Sequence, residues 1–258
     1  MVLWAITLIS TAMLYWIYDG YGRALFLING IRKAFCRQTE SSAEQSSDAD
    51  LPSITVLLTV HNEAAVIRTR IENILQCEYP PNLLSVVVAS DGSTDDTNSI
   101  IRSFCDRGVR LHESPGLGKT ATQNTAIKNI VSELIVFTDA DVTFEPKFLN
   151  IIARKFQDPA VGAVDGRQLY SSQPTLDIQT CQGYYWNYEL RLRNLESQLG
   201  ILAVVAGACF ALLAVCFGRW IQPSAKTVLC LWTLQRKGIS CCMNRPPEPG
   251  SAWTTIPQ

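Results

Sequence analysis

The chain lacks a basic surplus: 22 Lys and Arg stand against 23 Asp and Glu, for a net charge of -1. Nucleic-acid binders usually carry a clustered positive excess, so nucleic acid is not the expected partner. A disulfide framework is missing too. Of the nine cysteines, Cys36, Cys77, Cys105 and Cys181 are scattered, no cleavable secretory signal is evident, and the main domain reads as cytosolic and reduced. Cys241 and Cys242 are adjacent rather than spaced C-x-x-C, which argues against a structural zinc needing four convergent ligands. No internal repeat is found. Carboxylates run out late: after Glu196 only Glu248 remains. What is present, 47% hydrophobic and 17% charged residues over 258, excludes disordered and collagenous classes and is enough for one sizeable core.

Residues 1–18 contain no charge and end in Tyr15, Trp16 and Tyr18, as expected of a short membrane-spanning helix with an interfacial aromatic belt. A cleaved signal peptide is the rival, but no positive n-region or small-x-small site is clear. Ala24 to Ile31 is too short to cross a membrane alone and suits the interface. Arg23, Arg32, Lys33 and Arg37 follow the anchor, so the positive-inside rule puts the domain in the cytoplasm, at the cell membrane, behind a single N-terminal span. The expected division is an anchor and juxtamembrane segment over 1–36, a polar Ser-rich linker over 37–50, a catalytic-type domain over 51–211 and an aberrant tail over 212–258.

Within the domain, apolar runs alternate with helical patterns. Ile54–Val60, Ser85–Ser90 and Leu134–Thr138 read as buried strands, with shorter ones at Val109–His112 and Val161–Val164. Ile67, Ile71, Ile74 and Leu75 repeat at helical spacing, and Thr94–Cys105, Lys119–Ile130 and Pro146–Phe156 are comparable. This alternation predicts an α/β fold with a mostly parallel sheet covered on both faces.

Ligands of open α/β sheets settle outside the carboxyl ends of the strands, so polar clusters at those ends carry most weight. Three strands end that way: in Thr59-Val60-His61-Asn62-Glu63, in Asp91-Gly92-Ser93-Thr94-Asp95-Asp96, and in Asp139-Ala140-Asp141. Asp139 and Asp141 offer hard oxygens suited to Mg²⁺ or Mn²⁺, which takes one or two carboxylates and completes its octahedron with phosphate oxygens and water. The bland reading is a turn cap. The second cluster could likewise be a helix start capped by Ser93 or Thr94, which leaves Asp91 unexplained. His61 alone would be an ordinary turn histidine. Gly116-Leu117-Gly118-Lys119-Thr120 is not a phosphate loop of the G-x-x-x-x-G-K-[ST] kind, because Glu113 stands where a glycine is needed. Gly118-Lys119 at a helix start can still meet a diphosphate through backbone N–H groups and one ammonium. A nucleotidyltransferase on a similar sheet would want a glycine-rich basic loop after the first strand, and Thr59 to Glu63 is not one.

The ordered set T-V-H-N-E, S-D-G-S-T-D-D-T, G-K-T-A-T-Q-N, F-T-D-A-D-V and V-G-A-V-D-G-R resembles glycosyltransferase family two over residues 53 to about 211, the group that includes membrane polysaccharide synthases and sugar transferases to lipid carriers. The resemblance implies a GT-A fold, a nucleotide-diphospho-sugar donor, a glycan or lipid acceptor, and metal-assisted inverting transfer. It implies that Thr59, His61 and Asp91 line the base and ribose site with Glu63 supporting their loop. Lys119 faces the diphosphate with Asn124 on the helix behind it, and Asp139 and Asp141 bind ribose and metal, Asp141 more directly. His61 stands where many members carry another ring, which weakens a stacking role.

The acid-base carboxylate should follow the stretches Tyr185-Trp186-Asn187-Tyr188-Glu189 and Gly207-Ala208-Cys209-Phe210-Ala211, and there the resemblance stops. Five of nine cysteines and three of six tryptophans fall in the last fifty residues. The code permits a frame two bases later to read R-R-L-F-R-T-L-D across 213–222, E-D-C and P-L-D across Ser224–Trp232, and T-K-G-Y-L-V-L-H-E-P-A-A-R-A-W beyond. All three resemble the family in the right order, so a frameshift near Leu212 is expected, with impaired transfer and a tail that does not pack. The competing reading is a non-catalytic, membrane-tethered nucleotide-binding remnant.

Overall fold

In the computed structural model the residues described are 1–35, 51–159, 161–166, 168–170, 177–201, 208–216, 240–243 and 254–256. The expected linker, 37–50, and most of the tail lie outside them.

Four apolar runs become the parallel heart of the sheet: β1 (Ile54–Val60), β2 (Leu84–Asp91), β3 (Val109–Ser114) and β4 (Leu134–Thr138). β1 lies between β2 and β4, and β3 pairs outside β2. The two strands flanking β1 therefore lead away in opposite directions, which opens a crevice at the carboxyl ends of β1 and β4. Beyond β4, the sheet continues through β8 (Cys209–Leu213), β6 (Val161–Asp165) and β9 (Ser240–Met243). Both pairings of β8 are antiparallel, so this one strand runs against the rest of a sheet that is otherwise parallel, as the alternation predicted. A second, three-stranded sheet joins β5 (Thr143–Phe144), β10 (Thr254–Ile256) and β7 (Gln168–Tyr170).

Period-two alternation sends β1 side chains to opposite faces. Ile54, Val56 and Leu58, with Val86, Val88 and Val136, pack with Ile67, Ile71 and Ile74 of α3 (Ile67–Leu75), Ile101 of α4 (Thr97–Arg102) and Ile152 of α6 (Phe148–Lys155). Leu57, Val87, Ala89, Ile135 and Phe137 face the other way, onto Ala126 and Ile127 of α5 (Lys119–Ile127) and Leu190 of α7 (Asp177–Leu199). Each fully buried Leu, Ile or Val contributes about 1.5–3 kcal/mol of transfer free energy, so both faces are held and the strand rims stay fixed.

The helix expected over Thr94–Cys105 is shorter than the sequence suggests, running from Thr97 to Arg102. Its expected caps are engaged elsewhere: Asn62 N donates to Ser93 Oγ, and Thr94 N donates to Asn62 Oδ1. Asp95 takes over the end of the turn, its Oδ1 accepting from Thr97 N at 3.0 Å.

At the N-terminus α1 (Val2–Tyr15) continues through a π-helical turn, Trp16–Gly20, into α2 (Tyr21–Phe35). The two stretches read separately in the sequence thus form one run, and at the turn between them a Cβ on Gly20 would stand 3.1 Å from the Trp16 ring. The helix Val2–Arg32 is long and apolar enough to cross a membrane, and α1 is exposed throughout. α2 docks on α7: Tyr21 Oη donates to Glu196 Oε1 at 2.6 Å, and Arg32 Nη1 to the Gln198 carbonyl. The tail was expected not to pack, having no periodicity, yet β9 pairs with β6 and β10 pairs with both β5 and β7. Backbone pairing asks only for extended conformation, which periodicity does not report.

Candidate functional site

The polar ends of β1, β2 and β4 gather around the start of α5. Asp91, the last residue of β2, accepts from Gly118 N at 3.2 Å and from Thr122 Oγ1 at 2.7 Å through the same Oδ1. Its second carboxylate oxygen carries no partner among the described residues. Gly92, at φ +69°, lies so close to the Gly116 loop that a Cβ would sit 2.9 Å from Gly116 Cα. Only glycine there lets the loop before α5 close on β2.

Thr59, near the end of β1, accepts from Gln123 Nε2 of α5 at 3.1 Å. His61 is exposed, and its Nδ1 lies 2.7 Å from the Asp91 carbonyl. Glu63 holds its loop through the backbone: its carbonyl accepts from Val66 N and Ile67 N at the start of α3, and its N–H donates to Thr97 Oγ1. Asn62 takes φ +56°, a left-handed geometry that asparagine tolerates, and bridges the two loops. Asp95 ties them again through Ala64 N and Thr97, and the Thr97 hydroxyl holds the Asp95 carboxyl below its ordinary value.

Lys119, the first residue of α5, donates from Nζ to Asp139 Oδ1 at 2.6 Å. Asp139 leaves the end of β4. These contacts link His61, Asp91, Lys119 and Asp139 through the first turn of α5, with Thr59 joined one turn on. Asp141 follows two residues later, is exposed, and has no hydrogen bond or ion pair among the described residues. Asn124 lies on α5 without a side-chain hydrogen bond among those residues.

Among the described residues no group of three or more His, Cys, Asp or Glu side chains could hold a metal by itself. Two carboxylates, one of them unpartnered, are a donor set that fits Mg²⁺ or Mn²⁺ when substrate oxygens fill the remaining positions.

Three residues below the rim were not singled out in the sequence. Arg70 of α3 is 3% exposed and inserts its guanidinium beneath the acidic turn. It donates to the Asp139 carbonyl, Asn73 Oδ1 and Thr138 Oγ1, and stacks 4.1 Å from the Phe144 ring. Burial lowers its pKa to about 10, against the opposing pull of Cys209, Cys77 and both aspartates. Asn73 and Thr122 are the other two. The available signal for Arg70 was a cation on the apolar face of α3, one turn from both Ile67 and Ile74.

Comparison with known proteins places this geometry in context. A family model described as glycosyl transferase family 2 matches residues 55–217. An N-acetylglucosaminyltransferase of Rhizobium leguminosarum bv. trifolii is 29% identical over 178 residues, 67% of this chain and 96% of that protein. The probable glycosyltransferase YdaM of Bacillus subtilis (strain 168) is 28% identical over 125 residues, 46% of this chain and 30% of that one. The solved mannosyltransferase PcManGT from Pyrobaculum calidifontis, in complex with GDP-Man and Mn²⁺, superposes with a TM-score of 0.67 at 22% identity. That match covers 91% of this chain and 64% of PcManGT, so the chain spans less than two thirds of both YdaM and PcManGT.

Proposed function

The chain belongs to glycosyl transferase family 2 and has its GT-A type α/β fold, and from that premise we propose that it binds a nucleotide-diphospho-sugar at the α5 rim for transfer to a glycan or lipid acceptor. One observation carries the reading: side chains from β2, α5 and the end of β4, namely Asp91, Lys119 and Asp139, meet around a single helix start. A diphosphate suits that start, where free N–H groups and the Lys119 ammonium offer positive charge. The unpartnered oxygen of Asp91 and the nearby Thr59 and His61 suit a base and ribose. Asp141 and Asp139 would hold Mg²⁺ or Mn²⁺, which when bound neutralises charge on the leaving diphosphate. PcManGT, with GDP-Man and Mn²⁺, supports that pairing of nucleotide sugar and metal.

Inverting transfer also needs a carboxylate to take the acceptor proton. After β8 the sequence offers only Glu248, while Glu189 and Glu196 of α7 are engaged by Arg193 and Tyr21. A frameshift near Leu212 would replace the stretch expected to carry that carboxylate, and impaired turnover would follow from it. That same shortage favours the second reading, a membrane-tethered nucleotide-binding remnant. The uncharged segment 1–18, with α1 exposed throughout, serves as a single anchor, and the basic residues that follow it in sequence, Arg23, Arg32, Lys33 and Arg37, favour the cytoplasmic side for the domain.

The test uses the full chain in lipid nanodiscs, supplied with Mn²⁺, radiolabelled UDP- and GDP-sugars, and glycan or lipid acceptors. Donor binding with slow transfer supports the impaired enzyme. Binding without transfer supports the remnant, and absence of binding refutes both.

A further inference from the structure

The residues that build the acidic turn are only half of what fixes it; its two ends are tied to one helix underneath. On the entry side, Arg70 of α3 donates from Nε to the Asp139 carbonyl at 3.3 Å and from Nη2 to Thr138 Oγ1 at 2.8 Å. On the exit side, Asn73, one turn further along α3, accepts from Phe144 N at 2.7 Å and donates to Phe144 O at 2.8 Å. Arg70 Nη1 donates to Asn73 Oδ1 at 2.6 Å, so the two anchors form one unit. The Phe144 ring lies under the guanidinium, which closes the ring of contacts.

This arrangement exceeds what packing of α3 requires. Ile67, Ile71 and Ile74 already seal that helix against the sheet with no exposure. A buried guanidinium that finds neutral acceptors and no carboxylate within ion-pair distance among the described residues is costly to place there. Its position beneath Asp139 gives it a use. A turn clamped at Thr138–Asp139 and at Phe144 carries Asp141 on a short, bridged span, so the carboxylate is held near the rim before any ligand arrives. Partners of this kind, which orient the residues that touch a metal, are worth about 10- to 100-fold in metal affinity.

The geometry points to Arg70 and Asn73 as positioning residues that pre-set the Asp139–Asp141 turn for a divalent cation carried with a nucleoside diphosphate. The inference rests on the donor-site reading above and extends it to the helix below the rim. Neither residue touches the ligand, so the clamp acts on the metal-dependent part of binding and leaves the Asp91 side of the pocket alone.

The experiment titrates the full chain in nanodiscs with UDP and with GDP, each with and without Mn²⁺, and follows Mn²⁺ by electron paramagnetic resonance. The variants are Asn73→Ala, which removes the exit bonds without altering charge, and Arg70→Lys, which keeps the charge and loses the fork. Amide exchange over residues 139–144 is read in parallel, without ligand. For both variants the expected result is a fall of about 10- to 100-fold in Mn²⁺ affinity in the presence of nucleotide, under 2-fold change in metal-free nucleotide binding, and faster exchange across the turn. Should Arg70→Lys fail to fold, Asn73→Ala alone carries the test. Metal-dependent and metal-free binding falling together, or both staying at wild-type values, overturns the clamp. A wild-type chain that binds neither nucleotide overturns the donor-site reading, and the clamp with it.

Discussion

Replacing Lys119 by methionine should move two affinities in opposite directions. The Lys119 ammonium lies 2.6 Å from Asp139 Oδ1, in a pair whose side chains are 52% and 29% exposed. Exposed pairs contribute about 0.2–1 kcal/mol, and that is the opposition a divalent cation meets at Asp139 when no nucleotide is present. Without the ammonium, Mn²⁺ alone should therefore bind roughly 1.5- to 5-fold tighter. With UDP or GDP present, the same ammonium is drawn to the diphosphate, where a hydrogen bond to a charged group contributes about 1.5–3 kcal/mol. Nucleotide binding with Mn²⁺ should then weaken by roughly 10- to 150-fold. The assay is Mn²⁺ paramagnetic resonance with and without nucleotide, with Lys119→Arg as the charge-retaining control. Loss of both affinities in Lys119→Met, with Lys119→Arg intact, would refute the idea that one ammonium serves Asp139 first and the diphosphate second.

Other perturbations test the supports of the site. Asp91→Ala leaves the buried Thr122 hydroxyl without its acceptor and should cost about 1–3 kcal/mol in urea unfolding, with Asp91→Asn milder because one acceptor oxygen remains. Gly92→Ala forces a side chain into φ +69° against Gly116 and should cost about 1–3 kcal/mol, together with weaker nucleotide binding as the 115–118 loop shifts; an unchanged unfolding midpoint would contradict this. Burial pushes the Cys77 thiol up from 9.0 to about 12. The unfolded thiol ionises first, so its contribution is fully present below pH 9 and is lost as pH rises towards 12, by about 1.4 kcal/mol per unit. Urea unfolding at pH 8 and pH 10 should show a smaller fall for Cys77→Ala than for the wild type.

The strands β1 to β4 were legible because each is a short apolar run ending in polar residues, and β1 and β4 fall where the runs lie. α4 was misplaced because Ser93 and Thr94 look like caps in one dimension; their partner, Asn62, comes from a loop about thirty residues earlier. β8 was noticed as a motif, but its antiparallel insertion between β4 and β6 is a choice made by pairing rather than by composition. The rim residues stood out as polar clusters at strand ends, whereas Arg70 and Asn73 were hidden inside a helix whose isoleucines accounted for its pattern. Support from below a site becomes visible only when the two segments it joins, here α3 and the turn after β4, are seen together.

Calorimetric titration of the full chain with UDP and GDP, with and without Mn²⁺, comparing wild type with Asp141→Asn, addresses the donor site most directly. The account predicts one nucleotide per chain, bound more tightly with Mn²⁺, and loss of that enhancement in Asp141→Asn with metal-free binding retained. Mn²⁺ enhancement that persists in Asp141→Asn, or a wild type that takes up neither nucleotide, would contradict it.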